Sequence, residues 1–259
     1  MTTAYKFHGA GNDFIMIDDF ENKLQIPASQ IVQLCNRHTG IGADGLIVIK
    51  PSSEADFRML YYNADGSEAD MCGNGARCSL AFAFMKKYCR AEATFEASDG
   101  LHNGKILQEK NNEWQVKITL RISGQPQKLD DGSYFANTGV PHNIRIVDNL
   151  QQINVRTEGA LHRNNLQQFP EGANINFVSL SKDSISIRTY ERGVEDETLA
   201  CGTGITAAAL VAHTFIGYAY PVTIHAAGGT LNVDEQNGVL WLEGPARHAF
   251  TAQIHSLGL

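Results

Sequence analysis

One pattern runs twice through the 259 residues, and this repetition constrains the fold more than any single motif. Set against itself at an offset of 130, the chain brings Gly9 onto Gly139 and Asp18 onto Asp148. An Ile-rich run precedes each aspartate: Phe14-Ile15-Met16-Ile17 and Ile144-Arg145-Ile146-Val147. Gly42-Ala43-Asp44 meets Gly172-Ala173-Asn174, and Arg58 meets Arg188. After a slip of one residue, Cys72-Gly73-Asn74-Gly75 meets Cys201-Gly202-Thr203-Gly204 at a spacing of 129. Four separate features kept in order predict two related lobes.

Local patterning gives each lobe the same ingredients. Leu46–Ile49, Phe57–Tyr62, Trp114–Leu120, Ile144–Val147, Ile175–Leu180, Ile185–Tyr190 and Val239–Leu242 read as strands. Each Cys-Gly-x-Gly opens an apolar stretch that reads as a helix, Ala76–Tyr88 and Ile205–Phe215. The second has almost no polar face, and a helix that is apolar all round must be enclosed. The expected class is therefore α+β: two similar lobes, each a curved β-sheet or barrel around a central helix, with a ligand cleft between them. Lys105–Glu113 and Gln125–Tyr134 are polar and turn-rich, which puts the lobe boundary near them.

Composition narrows the function. A net charge of −7 with scattered basic residues excludes a nucleic-acid surface, which needs a clustered basic face. No apolar run approaches the roughly 20 residues needed to cross a bilayer, and the first residues lack a signal-peptide layout. A cytoplasmic protein without membrane contact is expected. Its five cysteines form no disulfide ladder and no Cys-x-x-Cys pair, so a structural zinc site is not expected. Cys35, Cys78 and Cys89 read as buried structural thiols, the usual fate of free cysteine.

Cys72 and Cys201 read differently. A cysteine just before a helix lies among N–H groups that the helix leaves unpaired, at the positive end of its dipole. That setting favours thiolate over thiol. The neighbouring glycines let a carboxylate approach the same N–H groups. Two such turns, placed equivalently in duplicated lobes, offer two sulfurs and two anion cradles. The arrangement suits removing a proton from one side of a carbon and delivering another to the opposite side. No phosphate loop, dinucleotide fingerprint or motif lysine for pyridoxal phosphate accompanies them.

The motifs His8-Gly9-Ala10-Gly11-Asn12-Asp13-Phe14, Gly40-Ile41-Gly42-Ala43-Asp44-Gly45, Tyr62-Asn63-Ala64-Asp65-Gly66-Ser67, Met71-Cys72-Gly73-Asn74-Gly75-Ala76-Arg77-Cys78, and Tyr190-Glu191-Arg192-Gly193 through Ala200-Cys201-Gly202-Thr203-Gly204 resemble the diaminopimelate epimerase family, in order over nearly the whole chain. The resemblance implies lobes 1–120 and 121–246, with a tail 247–259 that returns to the first. It implies interconversion of LL- and meso-2,6-diaminopimelate for lysine and peptidoglycan synthesis, by a homodimer without metal or organic cofactor. Carried over position by position, Cys72 and Cys201 are the acid/base thiols. Gly73, Asn74, Gly202 and Thr203 form the cradle for the reacting carboxylate. Asn12, Asn63, Asn174, Glu191 and Arg192 bind substrate, Arg192 being suited to hold a distal carboxylate in fork geometry. His142 matches a family position near the thiols, and reads equally well as a structural turn histidine. Two departures stand out. Val140 replaces an Asn frequent in the family, removing one side-chain hydrogen bond to substrate, and Gly45 stands where Gln is frequent.

Two other functions use much of the same sequence. A proline or hydroxyproline racemase-like enzyme shares the two-thiol logic, but its cyclic substrate would leave Arg192 and the asparagines unpaired at about 1–3 kcal/mol each. A two-lobed amino-acid binding protein would need the cradles and the clamp but not the paired sulfurs.

Overall fold

The computed structural model describes residues 2–254, and the chain divides into two units, Met1–Ile118 with Gly244–Leu259, and Thr119–Glu243. In chain order the first unit runs β1 (Thr2–Gly9), β2 (Asn12–Asp18), α1 (Ala28–Cys35), β3 (Gly45–Lys50), β4 (Phe57–Asn63), α2 (Gly73–Met85), β5 (Glu92–Ala97), β6 (Gly100–Lys110) and β7 (Glu113–Leu120). The second runs β8 (Gln127–Lys128), β9 (Tyr134–Asn137), β10 (Pro141–Ile146), α3 (Val155–Arg163), β11 (Asn174–Leu180), β12 (Ser184–Glu191), β13 (Asp196–Thr198), α4 (Gly202–Val211), β14 (Val222–Ala226) and β15 (Gly229–Gln236). The last strand, β16 (Val239–Ile254), contributes its first residues to the second unit and the remainder to the first.

In the first unit the strand order is β1-β2-β3-β4-β5-β6-β7-β16, and β16 pairs back onto β1, from Thr2 with Ile254 to His8 with Arg247. Closure removes the unpaired edges that an open sheet would expose. The end of the expected returning tail, residues 255–259, lies outside the described residues. Helix α2 packs against β1, β2, β3, β4 and β6 and is buried from Gly73 to Ala83.

The second unit has the order β16-β15-β14-β12-β11-β10-β9-β8, with β13 beside β12. Helix α4 packs against β9, β10, β11, β14 and β15, and all its residues but Thr203 are buried. Its sequence has no polar face to offer solvent, so enclosure is the arrangement that removes it from water.

The duplication is visible in the sense of the ladders. Reading β1 to β7, neighbouring strands pair antiparallel, parallel, antiparallel, parallel, antiparallel, antiparallel. Reading β9, β10, β11, β12, β14, β15, β16 gives the same series. Parallel neighbours need a crossover. In both units a peripheral helix, α1 or α3, supplies the first, and the buried helix after the cysteine supplies the second.

Three expectations are corrected. Lys105–Glu113 is not a loop: Lys105–Lys110 continues β6, and Asn111 and Asn112, both at positive φ, make the hairpin turn into β7. Polar side chains sit there because the strand end is exposed, while the backbone ladder to β7 continues past a register shift between Ile106 and Gln108. Helix α2 starts at Gly73 rather than Ala76 and stops before Lys87, whose φ of 64° cannot continue a helix. Helix α4 starts at Gly202 rather than Ile205 and passes into a π-helical turn, Ala212–Ile216, capped by Gly217 in the left-handed region. No helix of the described residues is long and apolar enough to cross a membrane.

Candidate active site

Cys72 sits in extended conformation immediately before α2, and its carbonyl accepts the Ala76 N–H at 2.8 Å. The half-buried sulfur lies 3.6 Å from Asn12 Oδ1 at the start of β2. The same oxygen accepts from Asn74 Nδ2 at 3.3 Å, while Asn12 Nδ2 donates to Asp44 Oδ2 at 2.8 Å. Asn74 Oδ1 in turn accepts from Arg77 Nη2 at 2.7 Å. Both amides are therefore oriented by a charge at each end of the chain of bonds, a cation at Arg77 and a carboxylate at Asp44. Asp44 and Asp13 share the fork of Arg37, and Lys6 also pairs with Asp13. Against the burial that would raise it, these bonds hold the Asp13 carboxyl well below the usual range.

Arg77 is fully buried, which lowers its pKa to about 10 and leaves it charged near neutral pH. Besides Asn74 it donates to the Gly73 carbonyl at 3.2 Å and the Pro245 carbonyl at 3.4 Å. It thus ties the first turn of α2 to β16. Asn63 ends β4, exposed, with Nδ2 on Ser67 Oγ at 3.1 Å, in a turn closed by Gly66 at φ 82°. Gly45 is required where it stands, because a Cβ there would lie 2.5 Å from both Tyr61 Cε2 and the Tyr62 carbonyl oxygen.

In the second unit Cys201 holds the equivalent position before α4, buried, with its carbonyl accepting the Ile205 N–H at 2.9 Å. Its sulfur is 3.4 Å from the Thr203 hydroxyl, and the Thr203 carbonyl accepts from Thr138 Oγ1 at 2.8 Å. His142 is not in a turn. It belongs to β10, fully buried and in register with Asn174 on β11, and it reaches the first turn of α4. A Cβ on Gly204 would stand 3.3 Å from His142 Cε1 and 2.4 Å from Asn176 Oδ1. Burial, then the Arg192 cation, pushes His142 down to about 3, so the ring is neutral. Val140 is half-buried in the tight turn before β10, where its carbonyl accepts the Thr138 N–H at 3.3 Å.

Asn174 Oδ1 accepts the Arg192 N–H at 2.7 Å, which directs the asparagine's Nδ2 elsewhere. The Arg192 guanidinium is half-buried and donates to the Glu171 carbonyl at 3.1 Å. Glu191, the last residue of β12, accepts from the Thr198 hydroxyl at 2.9 Å.

Each unit thus gathers its own predicted residues: Asn12, Cys72, Gly73 and Asn74 at the amino end of α2, and His142, Cys201, Gly202 and Thr203 at that of α4. Asn174 and Arg192 bond to each other, and Asn63 and Glu191 bond to near neighbours. Sequence reasoning missed Asp44, Arg77 and Asn176. An arginine in an apolar helix and a second asparagine two positions after Asn174 on one strand face were the available signals. The remaining thiols are poor reagents: burial pushes Cys35 to about 11 and Cys89 to about 12, and drives Cys78 upward as well.

Comparison with known proteins agrees with this architecture. A sequence model described as diaminopimelate epimerase matches residues 4–120 and 134–249. The chain is 43% identical to the diaminopimelate epimerase of Flavobacterium psychrophilum, over 96% of this chain and 99% of that protein. It is 41% identical to that of Chlorobaculum tepidum, over 95% and 98%. Among solved structures, a Bacillus anthracis phenazine biosynthesis protein of the PhzF family aligns with a TM-score of 0.74 at 16% identity, covering 98% of each chain. A probable proline racemase from Agrobacterium radiobacter aligns with a TM-score of 0.71 at 12% identity, covering 98% of this chain and 93% of that one. At such identities these two share the fold alone. The match of the family model to both units, with relatives above 40% identity over nearly their full length, makes this chain a member of the diaminopimelate epimerase family of isomerases.

Proposed function

We propose that this protein epimerises LL-2,6-diaminopimelate to the meso form, with Cys72 and Cys201 as the two acid/base groups. The observation that carries the reading is the placement of both cysteines directly before buried helices at equivalent points of a duplicated unit. One sulfur, as thiolate, takes the α-proton from one side of the carbon. The other, as thiol, delivers its proton to the opposite side, leaving the carbon inverted and the two thiols with exchanged roles. The reacting carboxylate gains charge as the carbanion forms, and N–H groups at helix amino ends favour that charge without reorganising. Gly73 and Asn74 with Gly202 and Thr203 supply those ends. Asn12, Asn63, Asn174, Glu191 and Arg192 bind the rest of the substrate. The chemistry needs no metal or organic cofactor, and the family resemblance extends the reading to a cytoplasmic homodimer serving lysine and peptidoglycan synthesis.

Specificity is assigned to the distal amino-acid group, read by Arg192 with Asn63 and Asn174. Lysine lacks the distal carboxylate and would leave the guanidinium without its anion, a defect that can reduce kcat/KM by about 10⁴ or more. An ammonium cannot reproduce the planar two-donor fork, so Arg192→Lys should weaken turnover of diaminopimelate as well. Kinetics on diaminopimelate, lysine and proline test this. Comparable turnover of lysine, or efficient proline racemisation, would overturn the substrate assignment.

A further inference from the structure

A buried polar cluster behind the first turn of α4 fixes the chemistry of His142. Asn176, on β11, is fully buried, and its Nδ2 lies 3.1 Å from His142 Nδ1, 3.1 Å from the Asn143 carbonyl and 3.3 Å from the Asn174 carbonyl. Its Oδ1 accepts from the Thr189 hydroxyl at 3.0 Å. The amide has one permitted orientation. Flipped, its oxygen would face two carbonyl oxygens that have no proton to give. The amide nitrogen therefore donates towards His142 Nδ1, and a ring nitrogen facing an N–H must present a lone pair. In a neutral imidazole the proton then resides on Nε2. That Nε2 is itself buried and has no hydrogen-bond partner among the described residues.

An unmet buried donor is costly unless something arrives to use it. Its neighbour on the ring, Cε1, is within contact distance of the site a Gly204 Cβ would occupy, at the helix end assigned above to the carboxylate cradle. We propose that Asn176 is a positioning residue that holds His142 as the neutral Nε2–H tautomer, giving the amino end of α4 a fixed N–H donor for an anionic group of the reaction. The proposal rests on the epimerase reading for the purpose of that donor, while the tautomer itself follows from the geometry alone. Thr189 completes the device by fixing the amide from its other end. The glycine at position 204 keeps the space open for it.

The tautomer is read from the protein labelled with ¹⁵N-histidine, in a two-bond proton–nitrogen correlation spectrum, with His142 assigned by its loss in His142→Gln. The expected spectrum has a bare Nδ1 and a protonated Nε2, unchanged from about pH 5 to 8, the interval where an ordinary histidine changes charge. A protonated Nδ1 or a doubly protonated ring in the wild type would overturn the proposal, whatever any variant does. Asn176→Asp replaces the donor with a carboxylate, which should draw the proton to Nδ1 and lower kcat at least tenfold with a smaller change in KM. An unchanged tautomer and kcat in that folded variant would also overturn it. Failure of the wild type to turn over diaminopimelate would contradict the proposed function instead, since the wild-type spectrum does not depend on catalysis.

Discussion

Five thiols in one chain become two kinds of group because of where each side chain lies. Cys35, Cys78 and Cys89 are withdrawn from water, which penalises the thiolate and pushes all three upward. Cys72 and Cys201 instead adjoin helix amino ends, which favour the anion. Serine at either position should lower epimerisation by about 10²–10⁴-fold, the usual contribution of one acid/base group. Alanine at Cys35 or Cys89 should leave kcat within a few-fold of wild type. Steady-state kinetics of the single variants check both statements. His142 carries a separate signature in stability. Its folded pKa of about 3 lies below the ordinary value, so between those limits the unfolded chain binds the extra proton. Stability should therefore be fully present above about pH 6.5 and fall as pH drops towards 4, with a limiting slope of roughly 1.4 kcal/mol per pH unit for this one site. Urea midpoints at pH 7, 6, 5 and 4 for wild type and His142→Gln measure it. The variant's profile should be shallower by about one proton, and parallel profiles would contradict the assignment. His8, His162 and His248 are also lowered by burial and add slope of the same sign in both proteins.

At the scale of the element, the two helices that follow the cysteines look alike in sequence yet are supported differently. A Cβ at Gly204 would enter Asn176 Oδ1 at 2.4 Å, whereas one at Gly75 would meet Ile47 Cδ1 at 2.9 Å, the end of a flexible side chain. Alanine favours a helix over glycine by up to about 1 kcal/mol, but overpacking a rigid polar cluster costs about 1–3 kcal/mol. Gly204→Ala should therefore lose more stability than Gly75→Ala, and it should lose activity with it. Denaturation midpoints rank the two, and equal losses would refute the comparison. Both helices were readable from their apolar runs, and so was the place of a cysteine directly before each. Asn176 was not, because an asparagine inside a strand pattern reads as a break in the apolar face. Its partners come from β10 and β12, which only the folded register brings together. Arg77 was hidden for a similar reason: nothing local to α2 foretells the carbonyl of Pro245, 168 residues away, that receives its Nε. Strand β6 was misread at its exposed end because polar side chains there carry no alternation, while the ladder to β7 depends on the backbone.

For the whole molecule, the repeat was the most legible property, since it depends on the order of many residues rather than on the propensity of a few. The identical series of antiparallel and parallel ladders in the two units is its structural counterpart. Neither property by itself identifies a reaction, because solved structures that share this fold include proteins with other names. The proposed reaction has two thiols treating one carbon from opposite sides, and isotope exchange tests that proposal most directly. LL-diaminopimelate is incubated with the protein in deuterium oxide, and early product and remaining substrate are separated and weighed for deuterium at the α-carbon. A two-thiol inversion predicts that the meso product carries one solvent deuterium while the remaining LL-substrate still holds protium, and that Cys72→Ser and Cys201→Ser each lower turnover by about 10²–10⁴-fold. Meso product that retains the original proton, or turnover undiminished in either variant, would contradict the account.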